Sequence, residues 1–134
     1  MKRTQRALLD LLVIAAVADG QIDNSELEMI SSWVRFLPVF DGVDPSEINE
    51  ISEDCVALLE DPEGIDKLMQ RTSDSLPIEL HDTAYSLLVE IVSADAEAKQ
   101  AELELLKLVR ETLNLDDLTV AAIEYAARAR HRSL

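Results

Sequence analysis

Ala18-Asp-Gly-Gln-Ile-Asp-Asn-Ser-Glu26 decides the fold of this chain, because a weaker copy of it follows as Ala94-Asp-Ala-Glu-Ala-Lys-Gln-Ala-Glu102. Asp19 aligns with Asp95, Glu26 with Glu102 and Glu28 with Glu104, all at an offset of 76 residues. At that offset the windows Leu11 to Leu37 and Leu87 to Leu113 share Leu11, Leu12, Val13, Ala18, Asp19, Glu26, Leu27, Glu28 and Leu37. Helices are rich in leucine, so some identity arises by chance. The Ala-Asp and Glu-Leu-Glu blocks keep one register, however, which points to a duplicated acidic helical hairpin.

Working outward from the motif, the sequence predicts a helix from about Thr4 to Ala18, with Gly20 suited to the left-handed position that ends it. Asp23-Asn-Ser-Glu26 has the form of a capping box, and Leu27, Ile30, Val34 and Leu37 then recur at helical spacing up to Pro38. Asp44-Pro-Ser-Glu47 opens a third helix to about Leu59, and Asp61-Pro-Glu a shorter one to about Ser73. Beyond Leu76-Pro77, helices are expected from about Ile78 to Ala94, Lys99 to Leu113 and Asp117 to Arg130.

These segments describe one all-α domain spanning 1–134, with about seven helices and two pseudo-repeated hairpins. Repeat one covers about 4–37, two inserted helices about 44–74, repeat two about 78–113, and a closing helix about 117–131. A length of 134 residues suits one core, and three glycines, four prolines and 4% aromatics leave little material for a sheet.

The net charge is −15, and its distribution matters more than its size. Lys2, Arg3, Arg6, Arg128, Arg130 and Arg132 hold half of the 12 basic residues, so six basic residues face all 27 acids in the body, about −21. Such a field repels phosphate backbones, which argues against nucleic acid, and attracts divalent cations or basic partners. It also keeps a small protein soluble without any ligand. The lone Cys55 shares a helical face with Ile48, Ile51, Leu58 and Leu59 and reads as core, which fits a reducing, cytoplasmic setting. Lys2, Arg3 and Arg6 ahead of the apolar run Leu8 to Ala18 imitate a signal peptide. Asp10 interrupts that run, and its counterpart from Tyr85 to Ala94 marks it as half of a repeated unit. No stretch is long enough to span a membrane, so no integral membrane segment is expected.

Repeated acids at one spacing suggest a cation site. Asp19, Gly20, Ile22, Asp23 and Glu26 match positions five, six, eight, nine and twelve of an EF-hand loop. Positions one and three fall on Ala15 and Val17, so an ordinary EF-hand is excluded. The alternative is structural, with Asp23 as cap and Glu26 as the second half of the box, contributing about 1 kcal/mol without a metal. Asp19 and Asp95 are harder to explain that way, since each sits at a predicted helix C-terminus, where a carboxylate costs about 0.3–1 kcal/mol. Glu102 persists although Lys99 replaces the capping aspartate beside it. Without nearby His or Cys, an ion at Asp19, Asp23, Glu26, Asp95 and Glu102 would be a hard one, Ca²⁺, Mg²⁺ or Mn²⁺. Ala96, Ala98 and Lys99 weaken repeat two, so repeat one is expected to bind better.

Ala18-Asp-Gly-Gln-Ile-Asp-Asn-Ser-Glu-Leu27 on a helical hairpin, with a degraded repeat near residue 95, resembles the tellurite-resistance TerB-like domain. That family is related to the N-terminal part of DjlA-type membrane co-chaperones. The resemblance covers nearly the whole chain. It implies a compact helical domain, acidic residues proposed to bind metal (Asp19, Asp23, Glu26, Asp95 and Glu102 by position), and a stress-response or membrane-associated context. His81-Asp82 lacks the His-Pro-Asp motif of a J-domain, so co-chaperone activity does not transfer.

Catalysis has little support. Ser86 and Ser93 lack triad partners, Cys55 lies on an apolar face, and His81 and His131 stand apart. No enzyme and no organic cofactor are expected. His81 is read as exposed early in its helix, His131 with its neighbouring arginines as complementing a helix C-terminus, and Trp33, Phe36 and Phe40 as core packing and helix boundary. Two readings remain: a divalent-cation-binding stress-response domain, and a module for an unidentified protein partner whose acids cap helices.

Overall fold

The computed structural model describes residues 1–94 and 99–134. Among the described residues seven α-helices follow one another: α1 (Arg3–Val17), α2 (Asn24–Phe36), α3 (Glu47–Glu60), α4 (Gly64–Ser75), α5 (His81–Ala94), α6 (Gln100–Leu113) and α7 (Asp117–Arg130). Single 3-10 turns at Pro38–Phe40 and Ile78–Leu80 precede α3 and α5, and no strand occurs among the described residues. The expected helices are all present. The one expected from Ile78 begins instead with a 3-10 turn, in which the Leu80 N–H donates to the Pro77 carbonyl at 3.0 Å.

Helix α1 is the axis of the fold and packs against α2, α3, α4 and α5. Leu8, Leu9, Leu11, Leu12, Val13, Ile14 and Val17 are all fully buried. A helix apolar around its whole circumference must be covered on every side. That position accounts for the run that imitated a signal peptide, and no helix among the described residues is long and apolar enough to cross a membrane. Its one acid within the run, Asp10, is buried too, and it accepts a 2.7 Å ion pair from Arg6, whose guanidinium also reaches Asp54 on α3.

Around this axis the other helices present stripes. Ile30 and Val34 are buried on α2, Ile48, Ile51 and Cys55 on α3, Leu68 and Met69 on α4, and Leu105, Val109 and Leu113 on α6. Burying each Leu, Ile or Val contributes about 1.5–3 kcal/mol. Gly64 is required by space, since a Cβ there would lie 1.8 Å from the Leu58 carbonyl oxygen where α3 turns into α4. Phe40 is wholly buried in the core, whereas Phe36 is 80% exposed and marks the end of α2, so core packing holds for the first and only the helix boundary for the second. Helices α6 and α7 both lie on α5, and α6 also meets α4, which brings the start of repeat two's second helix to the turn of repeat one.

Candidate functional site

The turn between α1 and α2 is built by the backbone first. Gly20 adopts φ +84 with open space around it, so glycine serves the left-handed conformation there and not close packing. Its N–H donates to the Val17 carbonyl at 3.0 Å, and the Asp23 N–H folds back to Ala16 at 3.1 Å. Asp19 lies two residues past the helix and accepts from the Gln21 N–H at 3.1 Å. Asp23 caps α2, one carboxylate oxygen accepting from the Ser25 and Glu26 N–H groups and from the Ser25 hydroxyl at 2.7 Å.

The capping-box expectation holds for Asp23 and fails for Glu26. The Asp23 N–H is already used by Ala16, and Glu26 turns inward on the buried stripe of α2, only 3% exposed. Its carboxyl meets that of Glu102 in a side-chain hydrogen bond between the two repeats. Burial, then the negative charges of Glu102 and Asp23, push its carboxyl from 4.5 up to about 8. Burying two adjacent carboxylates is expensive, which favours a proton shared by the Glu26–Glu102 pair.

Repeat two meets this turn from the other side. Glu102, 1% exposed on α6, stands beside Glu26, its own counterpart at the offset of 76. Lys99, the counterpart of Asp23, precedes α6 without capping it and extends its ammonium into the acids of repeat one. Its Nζ lies 3.3 Å from Asp19 Oδ2, 3.6 Å from Asp23 Oδ2 and 4.0 Å from Glu102 Oε1. Burial opposes the charge on Lys99, but its contact with Asp19 and the charges of Asp19, Asp23 and Glu102 raise it above its usual range. The Gln21 N–H and then Lys99 hold Asp19 low, and the Ser25 hydroxyl, the Glu26 N–H and the Lys99 charge hold Asp23 low.

Four of the five acids read from the sequence, Asp19, Asp23, Glu26 and Glu102, thus converge on one cluster, while Asp95 lies outside the described residues. The donors are carboxylate oxygens, the chemistry of a hard cation. As they stand around the ammonium, no three His, Cys, Asp or Glu side chains among the described residues form a group that could hold a metal ion. The expected dipole penalty at Asp19 is offset by Lys99 and the Gln21 N–H. Lys99 had entered the sequence reading only as a departure from the motif. A sharper signal was available, since it is the one basic residue between Arg71 and Lys107.

Elsewhere, Cys55 is buried and its thiol is pushed up to about 12 by burial and by Asp10, which makes it a poor nucleophile. His81 is half-buried, not exposed, with Nε2 3.1 Å from the Leu76 carbonyl. His131 follows α7 as expected, and both it and Arg130 meet Glu90 on α5. Tyr85 donates to Glu124 at 3.1 Å, and Arg110 joins the same carboxylate, tying α5, α6 and α7 together. An open apolar groove of about 680 Å³ runs between the Pro38–Phe40 turn, α5 and α7, lined by Leu37, Val39, Leu87, Leu118 and Ile123.

No curated protein and no solved structure matches the chain. A family model does, that of tellurite resistance protein TerB, over residues 5–125. The matched span runs from the first turn of α1 into α7 and takes in both acidic hairpins. An all-helical domain with a duplicated acidic hairpin, matched over that span, belongs to the tellurite resistance protein TerB family.

Proposed function

We propose that this chain is a non-enzymatic TerB domain that takes up a divalent cation, Ca²⁺, Mg²⁺ or Mn²⁺, at the acidic turn, in a cytoplasmic stress response of the tellurite-resistance kind. TerB is not a known enzyme family, and the buried thiol and separated histidines offer no catalytic constellation. One observation supports the cation reading above the rest. Glu26 and Glu102 are both almost wholly buried side by side, in a cluster that also holds Asp19 and Asp23. Capping accounts for Asp23 but not for Glu26. Those four carboxylates would hold the ion, which when bound supplies the positive charge that makes two buried acids tolerable.

The test is a titration of chelator-treated protein with Ca²⁺, Mg²⁺ and Mn²⁺, with Ca²⁺ and Mg²⁺ followed through the backbone amide resonances and Mn²⁺ through its line broadening. Changes confined to residues 19–26 and 99–102, absent from Asp19→Asn combined with Asp23→Asn, are expected. No localised change at millimolar ion rejects the reading.

The groove beside α7 favours a second reading, a protein-interaction module. Leu118 is 81% exposed at its edge, and Asp82 is the one charged residue in an otherwise mostly apolar lining. A partner presenting apolar side chains beside a basic one is the complement. Binding of such a partner would survive chelation and be lost in Leu118→Glu. Binding indifferent to that substitution removes the groove from consideration.

A further inference from the structure

Helices α6 and α7 both lie on α5 and make no comparable contact with one another, so α5 floors an open groove between them. Its volume is about 520 Å³, within the range of small-molecule sites. We infer that this groove binds a small amphipathic monoanion, an aliphatic carboxylate whose charge lies between Lys107 and Arg128 and whose chain covers Val89, Val92, Leu103 and Leu106. It shares no lining residue with the acidic turn or with the apolar groove at the Pro38–Phe40 turn.

Charge points to the head of the ligand. The chain holds 12 basic residues against 27 acidic ones, so its exposed cations have carboxylates in excess to pair with. This groove nevertheless collects three cations, Lys107 and Arg110 from α6 and Arg128 from α7, against the single acid Glu124. Glu124 is already committed, accepting from the Tyr85 hydroxyl at 3.1 Å and pairing with Arg110 at 3.4 Å. Lys107 and Arg128 are both exposed, and neither meets a carboxylate among the described residues. Arg128 lies instead over the Tyr125 ring, 5.9 Å from its centroid. Two positive charges thus line one groove without a local counter-charge.

Hydropathy points to the tail. Val89 and Val92 supply the floor from α5, and Leu103 on α6 is left 44% exposed beside them. A ligand that covers this surface gains from burying its own chain as well. The lining runs along α5 from Tyr85 to Ser93, about 12 Å at the rise of an α-helix, which suits a medium-length acyl chain.

The rest of the molecule decides the valence of the head. A net charge of −15 repels polyanions, and a phosphorylated ligand, an anionic membrane or an acidic helix each brings several negative charges. One carboxylate is neutralised at contact by the two cations, while the field of the body is screened beyond about 8 Å at physiological salt.

The test is a titration of the full-length chain with sodium octanoate below its micellar concentration, followed through backbone amide resonances. 1-Octanol, sodium phosphate and phosphatidylglycerol vesicles serve as comparison probes. Octanoate should move amides around Tyr85 to Ser93, Leu103 to Arg110 and Glu124 to Arg128, and should bind at least about tenfold more tightly than 1-octanol. Lys107→Gln combined with Arg128→Gln should abolish that advantage. Both side chains are exposed and outside the ion pairs of the fold, so the variant should fold, which circular dichroism checks. If it does not, the comparison of octanoate with octanol on the wild-type chain decides alone. Equal binding of the two, octanoate binding unchanged in the double variant, or shifts centred on Leu118 and Ile123 overturn the site. Tighter binding of phosphate or of vesicles overturns the ligand assigned to it. None of these results bears on the cation reading of the acidic turn, which has its own titration.

Discussion

The helix starts of the two hairpins occupy equivalent positions and behave in opposite ways. At α2, Asp23 closes the helix by accepting from two backbone N–H groups. At α6, Lys99 has the same extended backbone and offers no cap; its side chain leaves its own helix and joins the acids of the other hairpin. One change of residue type turns a local device into a contact between repeats. A cap acts within four residues, whereas a counter-ion placed at a duplicated position binds the two halves through electrostatics. Glu26 and Glu102 show the complementary case, in which both repeats kept the same acid and the two now crowd each other in the interior.

Restoring symmetry should break this arrangement most severely. Lys99→Asp removes the positive charge and adds a fifth carboxylate, with an expected loss of about 2–3 kcal/mol in EDTA, discounted for the partial exposure of the pair. Urea unfolding measures it, and millimolar Ca²⁺ should return most of the loss. A variant as stable as the wild type in EDTA would mean that the ammonium does not hold the hairpins together.

Glu26→Gln sharpens the comparison from the interior. Because the folded carboxyl is raised from 4.5 to about 8, the unfolded chain releases its proton first as pH rises. The wild type therefore loses stability between those values, and below pH 4.5 both states carry the proton and no loss remains. The neutral amide escapes this loss, so Glu26→Gln should be more stable by about 1–3 kcal/mol at pH 8 and equal to the wild type near pH 4. A gain independent of pH would show that packing and not ionisation is responsible.

Gly20→Ala imitates repeat two, where Ala96 holds the corresponding place. With φ +84 and nothing within reach of a new Cβ, the cost is backbone strain alone, about 1–2 kcal/mol by thermal unfolding. The smallest effect belongs to the cap itself. Asp23→Ala loses two backbone partners, about 1 kcal/mol in high salt. In low salt it should cost more, because the ion pair of Asp23 with Lys99 is then less screened.

Legibility in the sequence followed the range of the interaction. Helix α7 was read to its exact bounds, and α1, α2 and α6 within one residue at their starts, because apolar spacing and end signals are local. The start of α5 was misread by three residues, since a 3-10 turn and a first helical turn carry the same pattern. Asp23 as a cap was legible for the same local reason. Glu26 was not, because a capping box and an inward-facing glutamate are written identically, and what separates them is whether the helix face is covered.

The sequence by itself determined that the chain is helical, that an acidic hairpin occurs twice, and that one register relates the copies. These follow from periodicity and residue identity, which need no knowledge of what lies across the fold. Only the tertiary structure decided that α1 is covered on every side, that equivalent residues of the repeats face each other, and that Lys99 meets Asp19 and Asp23. Those depend on how α6 lies against α4 and α5, and so on packing between segments far apart in the chain. A charge seventy-six residues away is invisible in the spacing of the motif, yet at 3.6 Å from Asp23 it helps to hold that carboxylate ionised.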